Sequence, residues 1–172
     1  MSKGLVRGEN SELSDVFRQA MRRLAGSVAI LTTDEAGLPR GIVVTAVMSL
    51  TMAPAALVVA VNRTSSIFEP LSLGRKFCVN LLSRRHARMC GDFASLPVAS
   101  RFTVGDWART EDSLPYLRDA QTVVVCEQGP AHDFGTHRLM IGLASEIMLG
   151  VDVDPLMYAD GGYAGLASID GL

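Results

Sequence analysis

The stretch from Gly41 to Asn80 constrains the fold more than any other part of the chain. Two runs rich in β-branched and apolar residues, Ile42 to Met48 and Ala56 to Val61, read as strands, with Pro54 breaking the pattern between them. The polar loop Asn62-Arg63-Thr64-Ser65-Ser66 follows, and strand character returns from Phe77 to Leu82. Ser66 and Glu69 stand at capping-box spacing, which predicts a short helix, and Pro70 limits its length. Hydroxyls and free backbone N–H groups at a helix start make an anion site. The apolar run Ala56 to Val61, predicted to be buried on both faces, supplies a flat wall beside it. That layout suits a cofactor with a phosphate at one end and a planar ring at the other.

The remaining elements extend a β-rich pattern. A helix is predicted from Asp15 to Leu24, with Val16, Phe17, Ala20, Met21 and Leu24 on its apolar face, Ser14 as N-cap and Gly26 as stop. Val28 to Thr33 forms a hairpin with Ile42 to Met48 across the turn at residues 34–39. Arg84 to Phe93 reads as a helix, Gln121 to Glu127 and Leu139 to Met148 as late strands, and Asp160-Gly161-Gly162 as a turn. Many strands, few short helices and no regular βαβ alternation favour a barrel with helical covers over a doubly wound sheet.

A chain of 172 residues fits one domain, predicted as a flexible segment 1–14 followed by a folded unit 15–172. The net charge of −2 argues against a nucleic-acid partner, whose phosphates call for a basic face. Three widely spaced cysteines with no CxxC pair suit a reducing cytoplasm, and no apolar run approaches the ~20 residues of a membrane span. His132 and His137, five apart and so on opposite faces of a single strand, make a poor metal pair; no metal is expected. There is no recognisable catalytic triad or carboxylate pair.

Six segments in order resemble the short-chain flavin reductases, the reductase components of two-component flavin monooxygenases, and the 4-hydroxyphenylacetate monooxygenase reductases in particular. They are Phe17 to Met21, Thr45 to Thr51, Asn62 to Ser66, Phe77 to Ser83, Phe134-Gly135-Thr136-His137 and Tyr158 to Tyr163. The resemblance implies an FMN-binding split β-barrel, a homodimer, and an NAD(P)H:flavin oxidoreductase that supplies reduced FMN, or FAD, to a monooxygenase partner. It lays Val44, Thr45, Ala46 and Val47 along the flavin ring. Ser49, Ser65 and Ser66 go to the phosphate, with Asn62, Asn80 and Leu81 nearby. His137 is implied as the catalytic residue where the nicotinamide of NADH or NADPH docks, with Tyr163 beside it.

Two departures stand out. Many relatives carry Asn-Ser where this chain has Thr45-Ala46, leaving backbone contacts there. They also often carry an arginine shortly before the final tyrosine, where this chain has Asp160-Gly161-Gly162; Arg63, Arg84, Arg85 and Arg88 are the available substitutes. Two other functions suit the same residues. One is a flavoprotein that keeps its FMN and reduces a corrinoid cobalt or ferric centre; the other is a flavin-binding module without turnover.

Overall fold

The computed structural model describes residues 11–167. In chain order the elements are α1 Ser11–Met21, β1 Gly26–Ser27, β2 Ala29–Glu35, β3 Leu38–Val44, β4 Val47–Met52, β5 Ala55–Asn62, α2 Phe68–Ser72 and β6 Phe77–Leu81. There follow α3 Ala87–Ser95, β7 Trp107–Arg109, β8 Pro115–Leu117, β9 Thr122–Phe134, β10 His137–Leu149, β11 Met157–Ala159 and β12 Gly162–Ala164. Seven strands form one antiparallel sheet in the order β3-β2-β6-β9-β10-β5-β4. Its outermost strands, β3 and β4, are joined by Thr45 and Ala46 alone. Two linking residues span about 10 Å at most, so the two edges lie close together and the sheet curls into a barrel with its seam at Thr45–Ala46. The Ala60 N–H donates to the Ala46 carbonyl at 2.9 Å and holds that seam in place. This is a mainly β, single-domain split barrel with short helices.

Strand alternation sorts the core into two parts. Ala29, Leu31, Val59, Val61, Phe77, Val79 and Met140 pack together, joined by Ile67 and Leu71 from the α2 region. Val28, Ile30, Cys78, Val123 and Val125 form the second part, packed against Cys90 and Phe93 of α3 and against Leu114, Leu117 and Leu156. Burying each such Leu, Ile or Phe contributes about 2–3 kcal/mol. β2 is covered on both faces because both parts of the core use it.

Several boundaries differ from the sequence expectations for identifiable reasons. α1 starts at Ser11, so Ser14 is inside the helix instead of capping it. Leu13 continues the stripe of Val16, Phe17 and Ala20 at helical spacing. That stripe is largely exposed in the single chain, with Phe17 at 60% and Leu24 at 69%. β5 is not buried on both faces: Val59 and Val61 are enclosed, whereas Val58 and Ala60 are half-open. α2 has only five residues, its N-cap is Ile67, and no side chain caps it, so Ser66 is not a cap. The predicted helix from Arg84 splits into a 3₁₀ turn, Arg84–His86, and α3.

β9 and β10 run to 13 residues each. Gly129 and Pro130 ended the expected strand, but both sit at a bulge opposite Ile141, where proline is tolerated. The hairpin turn at Gly135–Thr136 therefore falls between His132 and His137 and puts them on two strands. His132 pairs with Leu139, so the two histidines share a face, contrary to the single-strand expectation.

Candidate functional site at the barrel seam

A cleft of about 740 Å³ lies over the seam. Val58 and Ala60 of β5 and Leu139 of β10 make its floor, and Thr45, Ala46, Val47 and Met48 its inner rim. The opposite wall combines Arg18, Met21, Arg22 and Leu24 from α1 and its exit with Tyr158 to Gly161 from the turn between β11 and β12. The open face of β5 is therefore explained: it is the cleft floor. Gly26 lets the wall approach, since a Cβ there would stand 3.2 Å from the Thr45 carbonyl oxygen.

Arg22 fixes the outer wall. Its Nε donates to Asp160 Oδ1 at 3.0 Å, a terminal nitrogen donates to the Asp160 carbonyl at 2.7 Å, and the Asp160 N–H returns to the Arg22 carbonyl at 2.7 Å. Gly161 makes room for this: its φ is +83°, and a Cβ would lie 2.8 Å from the Arg22 guanidinium. The cations at this wall are Arg18 and Arg22. None of the expected substitutes lines the cleft, and Arg84 and Arg85 face Asp154 and Asp119.

Strand periodicity carries the floor toward the loop. Asn62 and His137 are paired across β5 and β10, two residues on from Ala60 and Leu139, and so lie on the same face. His137 is exposed, with Nδ1 2.9 Å from the Thr136 hydroxyl. The Asn62 side chain folds the loop, accepting from the Thr64 N–H and hydroxyl at 3.0 Å each. The Arg63 N–H donates to the Thr136 carbonyl and ties this loop to the β9–β10 turn. At its far end the Ser65 hydroxyl is buried with no hydrogen-bond partner, and Ser66 Oγ accepts from Arg101 at 3.3 Å.

The structure separates other residues from this group. Asn80 is fully buried and its side chain is spent inside the core. Ser49 and Leu81 line a second, apolar cavity of about 330 Å³ with Met52, Val79, Val124 and Ile147. Val44 is buried on the core side of the seam. Tyr163 stands behind the wall, not on it: its ring meets Tyr158 edge-on at 5.8 Å and its hydroxyl donates to Cys90 Sγ at 3.3 Å. Burial and the Cys90 contact push the Tyr163 phenol well above its usual range, and burial raises the Cys90 thiol. Tyr158, Arg22 and Arg101 escaped the sequence reading of the site. A left-handed glycine beside Asp160 was the available signal for Arg22; Arg101 sits in a segment with no motif.

The family model described as flavin reductase like domain matches residues 21–167. The chain belongs to the flavin reductase-like family. Among its relatives is the NADH-dependent FMN reductase RutF of Methylorubrum populi, 32% identical over 151 residues, covering 87% of this chain and 75% of the relative. The solved flavin reductase PheA2 superimposes with a TM-score of 0.79 at 27% identity, covering 90% of this chain and 98% of its own. BorF, the flavin reductase component of a bacterial two-component tryptophan halogenase, shares the fold at a TM-score of 0.80 and 22% identity, with 91% and 99% covered. Among the described residues of this flavin reductase-like chain, no group of three metal-binding side chains occurs, and no helix is long and apolar enough to cross a membrane.

Proposed function

We propose that this chain is an NAD(P)H:flavin oxidoreductase that reduces FMN, or FAD, by hydride transfer, works as a homodimer, and delivers the reduced flavin to a partner monooxygenase. The observation that carries this is an apolar-floored cleft at the seam whose floor strand β5 leads directly into a loop holding a buried, unpartnered Ser65 hydroxyl. A planar ring fits the floor, and a phosphate would satisfy the orphan hydroxyl. The chain's membership of the flavin reductase-like family supports the same assignment.

The flavin supplies the hydride acceptor when bound, and the protein's part is placement. With a flavin bound, backbone groups of Thr45 and Ala46 would meet the polar edge of the ring, while Val58, Ala60 and Leu139 would keep water from beneath it. Ser65 and Ser66 take the phosphate end. His137 orients the nicotinamide carboxamide from the same sheet face, and Tyr163 acts indirectly by bracing Tyr158. No side chain needs to give or take a proton during hydride transfer.

Anaerobic addition of NADH to the flavin-loaded protein tests the proposal. The flavin band near ~450 nm should bleach. His137→Ala should slow single-turnover bleaching about tenfold, the loss of one hydrogen bond in the transition state, with the unfolding transition unchanged. No bleaching with NADH or NADPH would leave a flavin-binding module. An unchanged rate in the variant would remove His137 from the mechanism.

A further inference from the structure

We infer that Asp160 makes the protein choose NADH over NADPH, because the outer wall of the cleft offers the donor a fixed carboxylate and no spare cation; the inference rests on the flavin reductase reading above. Among the described residues lining the seam cleft, the charged ones are Arg18, Arg22 and Asp160, and all three stand on the outer wall. The floor and the inner rim contribute neutral residues alone. NADH and NADPH differ by one phosphate, so ionic discrimination between them inside the cleft falls to that wall.

Each guanidinium of the wall is matched by a carboxylate. Arg18 meets Asp15 at 3.0 Å on the same helix, and Arg22 meets Asp160 at 3.0 Å across the turn. Asp160 is also held in one place. Its φ is +48°, in the left-handed region that aspartate and asparagine adopt more readily than most residues. Its N–H, its carbonyl and its Oδ1 all bond to Arg22, whereas Oδ2 accepts no hydrogen bond among the described residues and the side chain is 86% exposed. With a flavin on the floor, the nicotinamide would enter above it, between floor and outer wall, and the adenosine half would pass that wall. A ribose with a free 2′-hydroxyl can donate to Oδ2, the contact that acidic residues make to NAD in other folds. A 2′-phosphate, with a charge of about −2 at pH 7, meets a like charge there and finds both neighbouring cations already paired.

Steady-state kcat/KM for NADH and for NADPH, measured with saturating FMN, reads the choice. The wild type should prefer NADH about tenfold, the effect of one like-charge contact at a solvent-screened site. Asp160→Asn keeps an oxygen for Arg22 and tolerates the same φ, so the wall stays built while the carboxylate charge is lost. The NADH:NADPH ratio should then fall about tenfold, through KM more than through kcat. Salt gives a second reading. Raising ionic strength should narrow the wild-type preference, a measurement that needs no variant to fold, and should act in the opposite direction on Asp160→Asn, where Arg22 is left as an unbalanced cation. A wild type indifferent to the donor, a preference that salt does not narrow, or an unchanged ratio in the variant would overturn the inference while leaving the flavin reductase reading intact. A wild type that oxidises neither donor would overturn both.

Discussion

Asn80 makes its hydrogen bonds entirely within the core. Its Nδ2 donates to the Ile30 carbonyl at 2.9 Å and to Thr32 Oγ1 at 3.2 Å, and its Oδ1 accepts from the Leu117 N–H at 2.8 Å. The side chain joins β6 to β2 and anchors β8, which explains a polar residue in an otherwise apolar strand without any ligand. Asn80→Ala would leave the Leu117 N–H buried without an acceptor, a loss of about 2–3 kcal/mol. Urea unfolding should therefore show a lower midpoint with unchanged slope, and FMN affinity in the folded protein should hold. A variant of normal stability with poor FMN binding would restore Asn80 to the site. The contrast with Ser65 is instructive. Both are polar residues beside β-rich segments, and only their hydrogen-bond inventories in the folded chain distinguish a satisfied core residue from one awaiting a partner.

At the scale of elements, several strands were legible because alternation and β-branching are local signals: β2, β5 and β6 fall within two residues of where the sequence places them, whereas the single strand expected from Ile42 to Met48 is broken at Thr45–Ala46 into the end of β3 and the start of β4. What escaped local reading was long-range. The stripe on α1 announces a helix, but an apolar face does not say which surface covers it. In the fold the helix is held at its C-terminal end, where Arg22 meets Asp160, 138 residues away in the chain. No spacing rule links those positions. Arg22→Ala should release that end of α1 and open the outer wall of the cleft, while the barrel, packed on both parts of its core, stays intact. Limited proteolysis should then speed up between residues 11 and 25 by about tenfold or more, with the global unfolding midpoint nearly unmoved. A large drop in that midpoint would show α1 docking to be integral to the barrel instead.

For the whole molecule, the exposed apolar surface is the feature that a single chain leaves unexplained. Phe17 and Leu24 of the α1 region are open, and so are Met48 and Met52 of β4, at 62% and 80%. β4 ends the sheet order, so it also presents unpaired backbone along its outer edge. A bare strand edge with apolar side chains is an aggregation hazard, and a symmetric second copy is the common way to cover one. The proposed homodimer would do so, and because Leu24 and Met48 also line the seam cleft, the partner copy would border that cleft. Light scattering after gel filtration should give twice the chain mass for the wild type. Met52→Glu, which adds a charge at the exposed edge and touches none of the seam-cleft residues, should shift the protein toward monomer as it is diluted, with circular dichroism unchanged. A wild type that remains monomeric at roughly 100 μM, about 100-fold above a dissociation constant of about 1 μM, would remove the homodimer and leave α1 and β4 to be covered by a different partner.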